Sequence, residues 1–426
     1  MATKKKWDVL IRGGTVIDGT GAPRMTGVDL AIRDGKIAAL APGLDATGAS
    51  EVIDATGCVV APGFIDVHTH DDSSLLDNPG MEYKTSQGVT TVVTGNCGIS
   101  LAPFASGSEV LPPLNLLGSI FEFPSVRSFF EAIDAAPAAV NAVCLCGHTT
   151  LRIGVMGKAC LDRPASPTEV VAMQTLLGEA LDAGAIGLST GLAYGAAISS
   201  TTDEVIALAK LLEPANAIYT THLRDESSQV IAAMEEAFRI GREAAVPVVL
   251  SHHKVTGKDF WGLTEETLRR IDAARKEQPV ALDVYPYDAS STVLKMDAVE
   301  RSQRVTITWS EAMPSAAGKD LFDLHRSCPC FSGSHSIADT AARLQPAGAV
   351  YFAMDEQDVR RVIEYPHSMI GSDGLPNDLV PHPRLWGSFP RVLGKYSRDE
   401  GLISLELAVH KMTGLPVRDG LATPVG

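Results

Sequence analysis

The sequence has no apolar run near the roughly 18 residues that a membrane span requires. It also lacks a signal peptide, because the basic residues 1–6 lead straight into Trp7 and Asp8, where an apolar segment would have to stand. Neither export nor membrane insertion is expected. Positive charge is scarce: 36 Lys and Arg stand against 51 Asp and Glu, a net charge of −15. A field of that sign opposes nucleic acid or an anionic membrane as a partner. Cysteine is sparse too, and its odd count of seven points to reduced thiols in the cytoplasm. Cys144-x-Cys146 and Cys328-Pro329-Cys330 are too close for easy disulfides and lack zinc-ribbon spacing, so they read as buried small residues. The chain shows no low-complexity tract and no repeat beyond alternating strands and helices.

What is present is a large apolar core. The 426 residues are 45% hydrophobic and 20% charged, enough for one barrel of about 250 residues or more with a smaller β domain attached. Residues 8–12, 15–18, 29–32 and 36–40 read as short strands divided by Gly13-Gly14, Asp18-Gly19 and Asp34-Gly35, the last a strong hairpin signal. They predict a small β domain over residues 1–61. From residue 62 the pattern changes to apolar strands followed by helices: strands over 64–67, 88–98, 140–148, 185–190, 217–222, 247–253, 280–285 and 367–373, with helices over 166–183, 203–212, 227–244 and 264–276. This order predicts an α/β chain with a (β/α)8 TIM-like barrel over 62–420. The rhythm breaks between Tyr285 and Tyr365. A stretch that long is expected to form a lid or substrate-pocket insertion, placed at 290–354.

Phe64-Ile65-Asp66-Val67-His68-Thr69-His70 is the stretch on which the rest depends. Side chains two apart on a strand share a face, so His68 and His70 can aim at one point. Cys97, His222, His252 and Asp373 each fall at the C-terminal end of another predicted strand. In a barrel those ends meet at one mouth. Four histidines, a thiolate and a carboxylate suit one or two Zn²⁺ ions, and Asp373 can take a proton from an activated water and return it to a leaving amine. That is an amide-hydrolase set. His253 alternates away from His252 and reads as structural. His148 also ends a strand, but a structural place outweighs one at the mouth. His325, His335, His367, His382 and His410 read as structural or solvated.

The segment 62–70 resembles the metal-dependent amidohydrolase superfamily. Residues 88–98, Thr221-His222-Leu223-Arg224-Asp225-Glu226, Ser251-His252-His253-Lys254, Asp283-Val284-Tyr285-Pro286-Tyr287, Gly371-Ser372-Asp373-Gly374, His382-Pro383-Arg384 and His410-Lys411-Met412-Thr413-Gly414 narrow the resemblance to the D-aminoacylase family of N-acyl-D-amino-acid deacylases. The resemblance implies a tightly bound zinc on Cys97, His222 and His252, with Cys97 in place of the carbamylated lysine common elsewhere in the superfamily. It implies a second, weaker metal position on His68, His70 and Asp373, with Asp373 as general acid/base. It further implies a small-molecule N-acyl-D-amino acid as substrate, its α-carboxylate held by Lys254, Tyr285 and Arg384. The preference for the D enantiomer comes from the resemblance alone. Two rivals stand beside this reading. A cyclic-amide hydrolase of the hydantoinase kind is disfavoured by Cys97, and an inactive metal-binding homologue is favoured only by the chain's end, where family members continue with strands that complete the small β domain. An open sheet edge with an exposed apolar face is expected there.

Overall fold

The computed structural model describes residues 6–331 and 333–421. The basic residues 1–5 and the terminal residues 422–426 lie outside it. Two small sheets come first. In one, Trp7–Arg12 pairs antiparallel with Asp29–Arg33 and parallel with Ala49–Asp54, and Lys36–Ala41 forms an edge. In the other, Thr15–Val16 lies between Met25–Thr26 and Val59–Val60. Asp34 and Gly35 turn the hairpin with φ of 54° and 70°, the left-handed pair that a tight hairpin of this type demands. Ala49–Asp54 carried no recognisable strand signal, and the reason is physical. Five of its six side chains are exposed, so no buried face imposes alternation. Ile37, Val52 and Val59 stand 69%, 49% and 45% exposed on these sheets.

A series of parallel strands follows: β1 (Phe64–Asp66), β2 (Val89–Thr94), β3 (Asn141–Cys144, resuming at Cys146–Gly147), β4 (Gly187–Gly191), β5 (Ile218–His222), β6 (Val248–Leu250), β7 (Val280–Val284) and β8 (Ser368–Ile370). Each pairs in parallel with the next along the series, and β3 pairs with β2 on one side and β4 on the other. A parallel bridge between Thr69 and Gly374 and a hydrogen bond from Asp373 N to His68 O (2.7 Å) bring the end of β8 back beside β1. Alternation along the strands divides the core in two. Ile65, Val93, Ile218, Val249, Ala281 and Met369 share an interior cluster, whereas Val92, Leu250 and Leu282 belong to the larger cluster shared with the helices. Strands buried on both faces read as continuous apolar runs, which is why these were legible.

The helices follow their end signals. In Pro167–Ala183, Ser166 caps the Glu169 amide, Glu169 answers to the Ser166 amide, and Gly184 ends the helix in the left-handed conformation. The helix expected over 227–244 begins instead at Val230, because Asp225 accepts the Ser227 and Gln229 amides and holds the chain in a turn. Between β7 and β8, Ser290–Val293, Arg304–Ser310 and Ala347–Phe352 form an antiparallel sheet with its own apolar cluster. Among the described residues no helix is long and apolar enough to cross a membrane.

One expectation about cysteine is overturned. Cys328 and Cys330 form a disulfide and are not buried: Cys330 is exposed and Cys328 partly so. Their Cα atoms are 5.3 Å apart, well within reach of a bridge, because Pro329 sits in a tight turn between them. Cys144 and Cys146 are buried free thiols as expected.

Candidate metal centre

Every side chain at the centre comes from the C-terminal end of a strand or the residues just beyond it. On β5, Ile218 packs in the interior cluster and His222, four residues on, shares its face. Cys97 follows β2, His252 follows β6 and Asp373 follows β8, and all three break from the strand with φ of 52°, 36° and 50°. Non-glycine residues rarely adopt that region, at a cost of about 1–3 kcal/mol each. Three such residues at one place mark a site whose geometry is imposed by its surroundings. Gly371 permits the approach of β8 to β1, since a Cβ there would meet His68 Cβ at 2.6 Å.

The six expected metal ligands converge. Cys97 Sγ lies 3.2 Å from His68 Nε2, 3.3 Å from His252 Nε2 and 3.7 Å from His222 Nδ1. Ligands around a tetrahedral zinc, at about 2.0–2.1 Å for nitrogen and 2.3 Å for sulfur, stand about 3.5 Å apart. The donor set therefore fits that ion. Asp373 Oδ1 lies 3.2 Å from His70 Nε2 and 3.5 Å from His68 Nε2. His68, Cys97, His252 and Asp373 form one grouping with metal-ligand spacing. His222, Glu226 and His252 form another, but Lys254 Nζ already sits 2.7 Å from Glu226 Oε1 and 2.8 Å from His252 Nδ1. An ammonium fills that place.

The electrostatics favour the ligand-competent forms of the thiol and the carboxyl, while at His68, His70 and His252 burial is outweighed by nearby anions, which raise the imidazoles toward their protonated forms. Burial pushes the Cys97 thiol up, but the imidazoles of His68 and His252 outweigh it and hold the thiol well below its usual value. Burial likewise opposes ionisation of Asp373, and Arg384, His68 and His252 hold its carboxyl well below the ordinary range. Two carboxylates that carried no assigned role in the sequence support the histidines. Asp283 Oδ2 faces His68 Nδ1 at 3.3 Å while its Oδ1 accepts the His252 amide at 2.9 Å. Glu226 Oε1 lies 3.1 Å from His252 Nδ1. Carboxylates behind metal-binding histidines fix the ring and its tautomer. Their signal was available: both stand inside the motifs of His222 and Tyr285, at or near strand ends.

The centre opens into a cavity of about 200 Å³. His70, His222, His252 and Asp373 form its floor, and Lys254 lines it. Ser291 and Tyr351 of the antiparallel sheet, Lys295 just beyond its first strand, Tyr194 and Leu375 also line it. Lys254 is buried, 8% exposed, so it is no solvated loop charge. Tyr285 and Arg384 are set deeper than expected and do not line the cavity. Arg384 is fully buried, with Nη1 2.6 Å from Asp373 Oδ2 and Nη2 donating to Ser291 O at 2.9 Å. Its guanidinium lies 4.7 Å from the Tyr285 ring centroid. The Tyr285 hydroxyl and Arg384 Nε have no hydrogen-bond partner, two orphaned donors beside the centre.

Several histidines lie elsewhere. His148 is fully buried, its Nε2 3.0 Å from Glu204, which also pairs with the buried Arg152. His253 turns away from the centre to Thr267.

Comparison with known proteins follows this geometry closely. Residues 51–258 match the amidohydrolase family. A D-aminoacylase of Alcaligenes xylosoxydans xylosoxydans is 51% identical over 419 residues, covering 98% of this chain and 84% of that one. A solved D-aminoacylase with a binuclear metal center superposes with a TM-score of 0.93 at 50% identity, over 97% of this chain and 86% of the other. An N-acyl-D-glutamate deacylase from Bordetella bronchiseptica, solved with zinc and a phosphonate mimic of the tetrahedral intermediate, has a TM-score of 0.92 at 45% identity, over 97% and 86%.

Proposed function

Because this chain belongs to the D-aminoacylase family of amidohydrolases and is accordingly a hydrolase, we propose that it hydrolyses N-acyl-D-amino acids to a carboxylate and a free D-amino acid with zinc as cofactor. The observation that carries this reading is the meeting of Cys97, His68, His222, His252 and Asp373 beside a buried lysine. The frame is a (β/α)8 barrel with a small N-terminal β domain and a lid over 290–354. Cys97, His222 and His252 hold the tighter zinc, and His68, His70 and Asp373 provide a weaker second position. Zinc bound there supplies Lewis-acid activation of water and of the amide carbonyl.

The chain's own residues do the rest. Lys254 binds the substrate α-carboxylate from the cavity lining, and Tyr285 and Arg384, set one layer deeper, complete the locus with the orphaned Tyr285 hydroxyl and Arg384 Nε as donors. Asp373 is anchored through Oδ2 by Arg384, which leaves Oδ1, on the histidine side, to carry the proton. Oδ1 takes that proton from the attacking water and delivers it to the amide nitrogen as the C–N bond breaks. The sheet at 290–352 contributes Ser291 and Tyr351 to the cavity lining and so shapes the space beside the centre. Asp373→Asn tests the assignment. It should keep zinc on the Cys97 position and lose kcat by about 10²- to 10⁴-fold; a variant with near-normal kcat would remove Asp373 from its role.

A further inference from the structure

Lys84 lies on the short helix Glu82–Thr85, does not line the cavity, and is wholly buried. A buried ammonium is costly unless it is paired, and this one has three partners. Nζ sits 2.6 Å from Asp66 Oδ2, 3.2 Å from Asp71 Oδ2 and 2.8 Å from Ser372 Oγ. Asp66 and Asp71 flank the His68-x-His70 pair, and Ser372 immediately precedes Asp373. The second oxygen of Asp66 accepts the Ser372 amide at 2.8 Å, and Ser372 Oγ accepts the Gly374 amide at 3.2 Å. The residues on both sides of Asp373 are thus tied, through Lys84 and Asp66, to the strand that carries the two histidines. Asp373 itself sits at φ 50°, a conformation it keeps only while its neighbours are held.

We infer that Lys84 is a positioning residue: by clamping Ser372 to Asp66 and Asp71 from behind the site, it sets Asp373 against His68 and His70 in the geometry that proton transfer needs. This inference rests on the proposed deacylation for its catalytic meaning, though the clamp can be read without it. A misplacement of about 1 Å costs on the order of 10²-fold in rate. Lys84 touches none of the carboxylate-binding candidates, so the loss belongs to kcat and not to KM.

The test is Ser372→Ala, which removes the Lys84–Ser372 hydrogen bond while keeping the amide link to Asp66 and leaving Lys84, Asp66 and Asp71 in place, with Lys84→Met as a second variant. Hydrogen exchange of the 366–375 segment, zinc content, and kcat and KM for N-acetyl-D-methionine are measured on the full chain. Expected are wild-type zinc on the Cys97 position, faster exchange across 372–374, kcat lower by about 10- to 100-fold, and KM within about 2-fold of wild type. Unchanged exchange overturns the inference, and so does lost protection with wild-type kcat. Should Lys84→Met fail to fold, Ser372→Ala decides alone. Should the wild-type chain cleave no substrate, the proposed function falls while the exchange result still decides the clamp.

Discussion

Lys254 and Arg384 are both cations near one carboxylate-binding locus, yet their surroundings assign them different consequences. Lys254 lines the cavity and answers to Glu226. Arg384 is tied to Asp373. A charged hydrogen bond is worth about 1.5–3 kcal/mol, which is about 10- to 100-fold. Lys254→Met should therefore raise KM by that factor with kcat little changed, whereas Arg384→Met should raise KM and lower kcat together; steady-state kinetics on both variants at equal zinc content separates the cases. At this scale the sequence was most informative where a ligand-type side chain ended an apolar strand. His68, His70, Cys97, His222, His252 and Asp373 were all found that way. Glu226 and Asp283 were not, although they stand inside the motifs of His222 and Tyr285, and Lys84 was not, because its role depends on a partner far away along the chain. Lys84 and Ser372 are 288 positions apart, and no local pattern encodes such a contact.

Elements with a buried face on each side were easily read, and those without one were not. β2, β5 and β7 follow from their apolar runs, while Ala49–Asp54, mostly exposed, left no trace. The disulfide at Cys328 and Cys330 was missed because spacing alone does not convey the turn that joins them. One buried network ties several elements together. Arg152, from the helix His148–Met156, and His148 meet Glu204 of Thr202–Ala209. Glu204→Gln leaves Arg152 without its charge partner, and breaking a buried pair costs about 3–5 kcal/mol, to be read from urea denaturation. Burial opposes the charge, but His148 and Arg152 lower the Glu204 carboxyl to about 2. A depressed carboxyl contributes stability that is present above its unfolded value of 4.5 and is lost as pH falls through the folded one. The gap between wild type and variant should accordingly be full above that value and narrow as pH falls toward about 2.

The molecule as a whole combines a well-buried centre with exposed apolar side chains on its small sheets. Ile37, Val52, Ile53 and Val59 are exposed on the small N-terminal sheets, and exposed apolar strands at a sheet edge invite self-association. Ile37→Lys with Val52→Thr should reduce association in sedimentation experiments and leave kcat/KM unchanged, since neither residue approaches the centre. A fall in activity would show that the small sheets influence the site. The central claim, a zinc-dependent deacylase selective for the D configuration, is met most directly by one measurement. Amine release from N-acetyl-D-methionine and from its L enantiomer is followed on protein whose zinc is quantified in the same batch. The account predicts cleavage of the D form alone, with zinc bound, and loss of both zinc and cleavage in Cys97→Ala. Bound zinc with cleavage of neither enantiomer, or equal cleavage of both, would contradict it.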